Sequence, residues 1–539
     1  MDFVQLKDWI ESGKTAYITK ALQNLQAYLI QQGDIKDSKE RVKTITQHIH
    51  IHSFLPCFDT KSLIQLQLIV SVFGKILDEI NIDQALKEDP VVQQFLIQGY
   101  KHPFEIVRRL TITQLLRCSV ATLFERPDVY GDVLYQAMID PEISVQKVAL
   151  QIIQKICSTK EGVDLLFVQH KKFLIDPLLE TLSQTGNETI RFRVYELMAA
   201  ISSQSEDAFQ AVVNTRVYNL FSEDFSKSKD DVLSLVNFLE IFKSFCIDSY
   251  NKKGVEILRQ IGGFELLMKI LIDNQNDPLA YSFILNLIAD LSDSSEELFF
   301  GEENALSLPT SVIEKIFNEE LSSTSNKEAQ IVAISVIGAL CKTSAKNLQS
   351  ILLNDSDRCT QFLSFYGDSI NDMIWQSFCH SLGSILESRR VSDALAEQLI
   401  GALEKILKKR SEPPITQPSN SYIMNYAMYN LKDPFPDVRC AVYHLFKGMA
   451  TRINIVKEHM NVYPGFFDFL TNRTTEPNKE TKEWKYNLIE VLHDTLHKNH
   501  TVAGVDAKHM IDLKTYILRG AYVGDKGTPQ AIIASEYSE

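Results

Sequence analysis

Three histidines alternate in HIHIH, as His48, His50 and His52, and two more stand four residues apart in HDTLH, as His493 and His497. Imidazoles gathered on one face are the usual ligands of zinc. Alternation gathers side chains on a strand, and a spacing of four gathers them on a helix. HIHIH lies in a helical or loop-like setting, where alternate residues scatter. HDTLH has helical spacing but lacks the glutamate of HExxH, and no third ligand is evident. Neither set is expected to hold a metal. Ser203 and the run Cys379-His380-Ser381 offer nucleophile types, but sequence neighbours on a helix do not face one another. The nearest approach to a phosphate loop is GAYVGDKGT at 520–528. There Asp525 separates Gly524 from Lys526, and no helical pattern follows. The chain is therefore read as a non-enzyme that carries no cofactor.

The elements that hold these residues are helices. In PEISVQKVALQIIQKIC (141–157) an apolar stripe runs through Val145, Val148, Ala149, Ile152, Ile153, Ile156 and Cys157, the spacing of an amphipathic helix. Pro141 stands at its start, where a missing N–H costs nothing. The phrase recurs. HPFEIVRRLTITQLLR precedes it, with Pro103 and Pro141, and likewise Val107 and Val145, 38 residues apart. Later copies are NETIRFRVYELMAAI, KDDVLSLVNFLEIFKSF, NDPLAYSFILNLIADLS, NKEAQIVAISVIGAL and DPFPDVRCAVYHLFKGMA. Second helices such as GVEILRQIGGFELLMKILID lie between, with Gly262-Gly263 as a corner. A period of about 40 residues in this cadence resembles armadillo and HEAT repeats. The expected fold is an all-α solenoid, each unit covering its neighbour's apolar face. It is expected to run continuously over residues 1–519. SEPPITQPSNS (411–421) reads as a long inter-repeat loop, and 520–539 as a flexible tail.

Composition narrows the function. The 539 residues carry a formal charge of −14, which repels phosphate backbones and anionic lipid, so neither nucleic acid nor membrane is an expected partner. The basic run Lys408-Lys409-Arg410 reads as a solvated helix end. Eight scattered cysteines without a CxxC suit a reducing compartment. The opening MDFVQLKDWIESGK has early acids and no apolar run, so no secretory signal is expected. The expected location is the cytoplasm, with the nucleus left open.

Binding residues are sought on helix faces opposite the apolar stripe. In residues 189–203 the stripe is Ile190, Val194, Leu197, Met198 and Ile201. The opposite strip carries Phe192, Glu196, Ala199 and Ser203, flanked by Arg193. In the 436–450 copy, Cys440, Tyr443, His444 and Lys447 are expected outward. In 480–494, Trp484, Leu488, Val491 and Leu492 are expected inward, and Glu483, Tyr486 and Glu490 outward. Exposed aromatics and arginines anchor protein interfaces. Phe192, Tyr443 and Tyr486 are the candidate anchors, with Arg193, Glu196, His444, Lys447 and Glu483 around them. For Phe192, packing against an adjacent helix is the alternative. Arg191 and Arg439 sit at the stripe's edge just after a helix start, where a bridge to an acid in a neighbouring unit is expected.

TIRFRVYELMAAISS, DPFPDVRCAVYHLFKGMA, YPGFFDFLTNRTTEPNKETKEWKYNLIEVLHD and LKTYILRGAYV, in that order, resemble the family of proteasome base assembly chaperones. The resemblance implies an armadillo/HEAT-like solenoid whose outward strips line a concave surface. It implies binding to the C-terminal domain of an AAA ATPase subunit of the regulatory subunit 7 type. A neighbouring base ATPase and a large non-ATPase scaffold subunit would share the intermediate. It further implies absence from the finished particle and no ATP hydrolysis. Two rivals remain. One is an armadillo-type cargo adaptor, but Trp9, Trp375 and Trp484 are the only tryptophans, too few for a peptide-reading ladder. The other is a metal-dependent enzyme built on the histidine sets.

Overall fold

The computed structural model describes residues 2–30, 35–228, 231–294, 308–322, 326–368, 373–409, 419–499 and 506–522. The described residues form helices and turns, with no strand among them. The stretch GAYVGDKGT beyond Tyr522, most of SEPPITQPSNS and the tail beyond Tyr522 lie outside the described residues.

Contacts group the chain into two compact units, 1–263 and 264–539. In the first, one layer consists of α1 (Thr15–Ile30), α2 (Leu63–Glu79), α3 (Glu105–Arg117), α4 (Ile143–Cys157), α5 (Glu188–Ser202) and α6 (Val232–Lys243), each packed on the next. A second layer, including helices Pro90–Gln98, Pro127–Met138, Ile175–Gln184 and Val217–Phe225, backs it. In the second unit the corresponding layer is α7 (Pro278–Ser294), α8 (Lys327–Cys341), α9 (Met373–Glu387), α10 (Pro436–Ala450), α11 (Lys479–Lys498) and α12 (Ala507–Arg519). Consecutive members again pack on one another, backed by helices such as Ser356–Asp368 and Tyr422–Asn430. This is the all-α, armadillo/HEAT-like solenoid expected from the repeat.

Local sequence explains the helices. Ser62, Asn187, Asp231 and Asn326 cap α2, α5, α6 and α8 by accepting from first-turn amides that would otherwise lack a partner. In α4 the stripe Val145, Ala149, Ile152, Ile153, Ile156 and Cys157 is buried, and Val148 is half-buried. In the second unit glycines set the layer's tightest approaches. A Cβ on Gly448 of α10 would lie 2.4 Å from the Gly383 carbonyl oxygen of α9, so the two backbones nearly touch. A Cβ on Gly338 of α8 would lie 2.4 Å from the Ser381 Cβ of α9.

The cysteines are structural. All eight are buried and unpaired, and burial pushes the Cys57 and Cys118 thiols up to about 11 and about 12. A thiol so far from ionisation is a small hydrophobe rather than a nucleophile.

Candidate binding surface

The side chains of both histidine sets are engaged in other contacts. HIHIH straddles a helix end and its rings take different partners: only those of His50 and His52 meet, edge-on at 4.4 Å. His48 stacks on Phe3 at 5.0 Å, the His50 ring accepts from the His52 amide at 3.3 Å, and His52 Nε2 meets Asp89 Oδ2 at 2.8 Å. His493 and His497 stack on each other along α11 at 5.9 Å. Among the described residues no group of three or more His, Cys, Asp or Glu could hold a metal ion.

The helices do position two kinds of carboxylate. The first kind is paired between repeats. Asp140, just before α4, takes a bidentate pair from Arg108 of α3, at 2.7 and 2.9 Å. Its carbonyl accepts from Arg193 of α5, which also reaches the Pro141 carbonyl at 3.3 Å. Three successive layer helices are thereby stitched together. Asp224 in turn accepts the Tyr195 hydroxyl at 2.8 Å and pairs with Arg191, both on α5. The second unit repeats this clamp. Arg439 meets Glu476 at 2.9 Å, and the Tyr443 hydroxyl donates to the same carboxylate at 2.5 Å. Arg191 and Arg439 therefore make the bridges expected of them.

These clamps correct one candidate anchor, Tyr443, and one of the residues expected around the anchors, Arg193. Arg193 is only 9% exposed and spends its guanidinium on backbone carbonyls. Tyr443 is 0% exposed. Helix α10 is packed between α9 and α11, so the strip opposite its main stripe is covered, and Cys440 is buried with it. The sequence holds the signal that distinguishes them. RFRVY and RCAVY share R-x-x-x-Y, so Tyr443 corresponds to Tyr195 of the clamp and not to Phe192.

The remaining candidates in the second unit are largely occupied. His444 Nδ1 lies 2.8 Å from His380 Nδ1, and its ring lies 5.0 Å from that of Trp484. Lys447 pairs with Glu387 at 2.6 Å, and His444 stands 3.7 Å from the same carboxylate. His444 and Lys447 hold the Glu387 carboxyl down to about 2, while burial, aided by His444, pulls His380 down to about 4. Tyr486 is half-buried, its hydroxyl donating to the Ile517 carbonyl of α12 at 3.4 Å, so it too is not a free anchor. Trp484, expected inward, is half-buried in the His380–His444 cluster, and Val491 is half-buried. Glu483 is exposed and accepts from the Tyr522 hydroxyl.

The second kind of carboxylate lies in the first unit, where Phe192 and Glu196 are brought together. With Ala199 and Ser203 they form one wall of a cleft of about 500 Å³. Gln154 of α4 lies on one side. On the other are Asn237 and Glu240 of α6, then Ser244 and Asp248 of the π-helical turn that ends it. Phe192 is half-buried, edge-on to Phe238 at 4.9 Å, so the intramolecular packing and an open face coexist. Glu196 is exposed to solvent, yet desolvation by its surroundings raises its carboxyl pKa, against the lowering effect of Arg193 and Lys147.

Such an array, with paired charges between repeats and an open cleft on one layer, defines a helical-repeat protein of the solenoid class. The family model described as "Proteasome non-ATPase 26S subunit" matches residues 5–532, and the chain belongs to that family. The cattle and human proteins named 26S proteasome non-ATPase regulatory subunit 5 are similar to it. The cattle protein is 23% identical over 478 residues, covering 85% of this chain and 86% of the relative. The human protein is 22% identical over 479 residues, covering 84% and 85%. A solved structure of importin beta matches with a TM-score of 0.53 at 12% identity, over 92% of this chain and 65% of that one. The Kap95p chain of a structure with RanGDP matches at 0.51 and 11% identity, over 98% and 64%. These structural likenesses concern the fold alone. No described helix is long and apolar enough to cross a membrane.

Proposed function

We propose that this protein is an assembly chaperone for the base of the 26S proteasome regulatory particle. It binds the C-terminal domain of an AAA ATPase subunit of the regulatory subunit 7 type, in an intermediate with a neighbouring ATPase and a large non-ATPase scaffold subunit. It leaves before the particle is complete. Its action is occupancy without catalysis: a rigid surface covers one face of the partner until a competing contact replaces it. The observation that carries this reading is the alignment with regulatory subunit 5 across about 85% of both chains. The cleft around Phe192 and Glu196 is the proposed contact. A specific interface of about 1,600 Å² resting on a few anchors suffices for such a role. The cytoplasm is the proposed location.

The test is affinity purification of the tagged chain from cells, with mass spectrometry of what accompanies it. Base ATPases without 20S core subunits are expected. Intact 26S particles, or a spectrum of transport cargo instead of ATPases, would overturn the reading.

A further inference from the structure

We propose that the α4–α5–α6 cleft recognises one linear segment of its partner, apolar at one end and carrying Lys or Arg at the other. This deepens the contact proposed above and rests on it for the partner's identity. The apolar end is built from the layer's helix starts. Ile143 at the start of α4 is 59% exposed and Leu233 at the start of α6 is 77% exposed. Phe192 lies between them on α5. Large aliphatic side chains this open, on the helices that flank α5 on either side, are surfaces that gain by being covered.

Toward the other end the same strips turn acidic. On α6, Leu233 is succeeded at helical spacing by Asn237, Glu240 and Ser244, and then by Asp248 on the terminal turn. Glu240 and Asp248 line the same cleft as Glu196. No described residue forms an ion pair or hydrogen bond with any of these three carboxylates, whereas Asp140, Asp224 and Glu476 are all paired. The raised pKa of Glu196 marks an anionic site that burial penalises and an incoming cation would relieve. Arg193 and Lys147 act on Glu196 from nearby but make no ion pair with it, so charge complementarity favours a basic group here over an acidic or phosphorylated one. From Leu233 to Asp248 is about 22 Å along a helix, the reach of some fifteen helical residues or seven extended ones. The apolar start recurs independently in the second unit, where Leu279 and Phe283 of α7 are exposed.

The test uses the full chain and a fluorescein-labelled sixteen-residue synthetic helix with leucines at one end and three lysines at the other. Two controls replace the lysines by glutamates or the leucines by serines. The lysine peptide should bind, weaken as salt rises from 50 to 300 mM, and exceed both controls by about tenfold or more. The variant Glu196→Gln/Glu240→Gln/Asp248→Asn should lose about tenfold for the lysine peptide. Ile143→Ser/Leu233→Ser should lose a similar factor without removing the salt dependence. All five positions are surface-facing, and unchanged circular dichroism melts verify the fold. Equal binding of the glutamate peptide, or an unaffected carboxylate variant, would overturn the proposal. Capture of base ATPases from lysate separates it from the chaperone reading. If the carboxylate variant captures them as well as wild type does, the cleft assignment falls and the chaperone reading stands. If wild type captures none while the lysine peptide still discriminates, the chaperone reading falls and the cleft assignment stands.

Discussion

Glu476→Ala tests the clamp that removed Tyr443 from the binding surface. Glu476 is 3% exposed and accepts from Arg439, 5% exposed, and from the fully buried Tyr443 hydroxyl. Truncation strands a buried guanidinium with only the Asp433 carbonyl, at 2.5 Å, and leaves the phenol without its acceptor. Breaking a buried pair by removing one partner costs about 3–5 kcal/mol, and orphaning a buried hydroxyl about 1–3 kcal/mol. The two penalties share one carboxylate and do not add, so about 3–5 kcal/mol is expected. A repeat array of this length need not unfold in one step, so the effect is best read locally. Native-state hydrogen exchange of α10 and α11 amides should accelerate by about 10²-fold or more, at about 1.4 kcal/mol per decade. Glu483→Ala, at an exposed position, should change exchange little. The apolar triple variant Arg439→Met/Tyr443→Phe/Glu476→Leu should restore much of the protection, because it leaves no buried guanidinium or phenol without its partner. Less than a threefold change in Glu476→Ala would refute the claim that this carboxylate ties α10 to the segment leading into α11.

The second unit should lose stability as pH falls below about 6.5. His380 has its pKa depressed to about 4, so its contribution is complete above the unfolded value near 6.5 and is lost as pH falls toward 4. Glu387, depressed to about 2, contributes above its unfolded value near 4.5 and loses that between 4.5 and 2. Urea titrations at a series of pH values should show both losses. His380→Gln should flatten the upper one only, and Lys447→Met should reduce the lower one. Gly448→Ala should destabilise by about 1–3 kcal/mol, because its methyl meets the α9 backbone. Gly401→Ala, in helix Asp393–Lys409 with nothing within 4 Å of the new carbon, should stabilise by about 0.5–1 kcal/mol; thermal melts compare the two. Leu197→Ala, at a fully buried position, should cost about 2–5 kcal/mol through cavity formation, and an unchanged urea midpoint would reject its placement in the core.

The layer helices were legible because a 3.6-residue period survives local variation. Val194, Leu197, Met198 and Ile201 are buried on α5 as their spacing requires. The second surface of each helix was less legible. Periodicity identifies the most apolar stripe, but a helix held between two neighbours buries two. Tyr443 and Cys440 lie under that second contact, and hydropathy alone does not separate them from Phe192, which stays half-open. The clamp partners stand 29 to 37 residues away, as Tyr195–Asp224 and Arg439–Glu476, so they become visible only when repeat copies are aligned on their arginines. The exposed starts Ile143 and Leu233 were legible as apolar letters, but their openness depends on where the chain enters each helix. Asp248 continues the spacing of Asn237, Glu240 and Ser244 onto the π-helical turn that ends α6, but that the strip borders a cleft depends on how α4, α5 and α6 pack.

The acid excess of this chain is divided by geometry into two uses. Carboxylates at repeat junctions are matched by arginines that also satisfy backbone carbonyls, so they fix one helix against the next. Those of the cleft make no ion pair or hydrogen bond with described side chains, and they stand on helices that the paired ones tie together. Arg191 and Arg193 flank Phe192 in sequence, and each is tied to a different neighbour, Asp224 and the Asp140 carbonyl. The ring and the Glu196 carboxylate are thereby presented from a helix restrained on both sides. A surface ordered before its partner arrives loses little conformational entropy on binding, so its few contacts count nearly in full. The same division explains why the arginines nearest the candidate anchors are poor anchors themselves: their charge is already spent on making the cleft rigid.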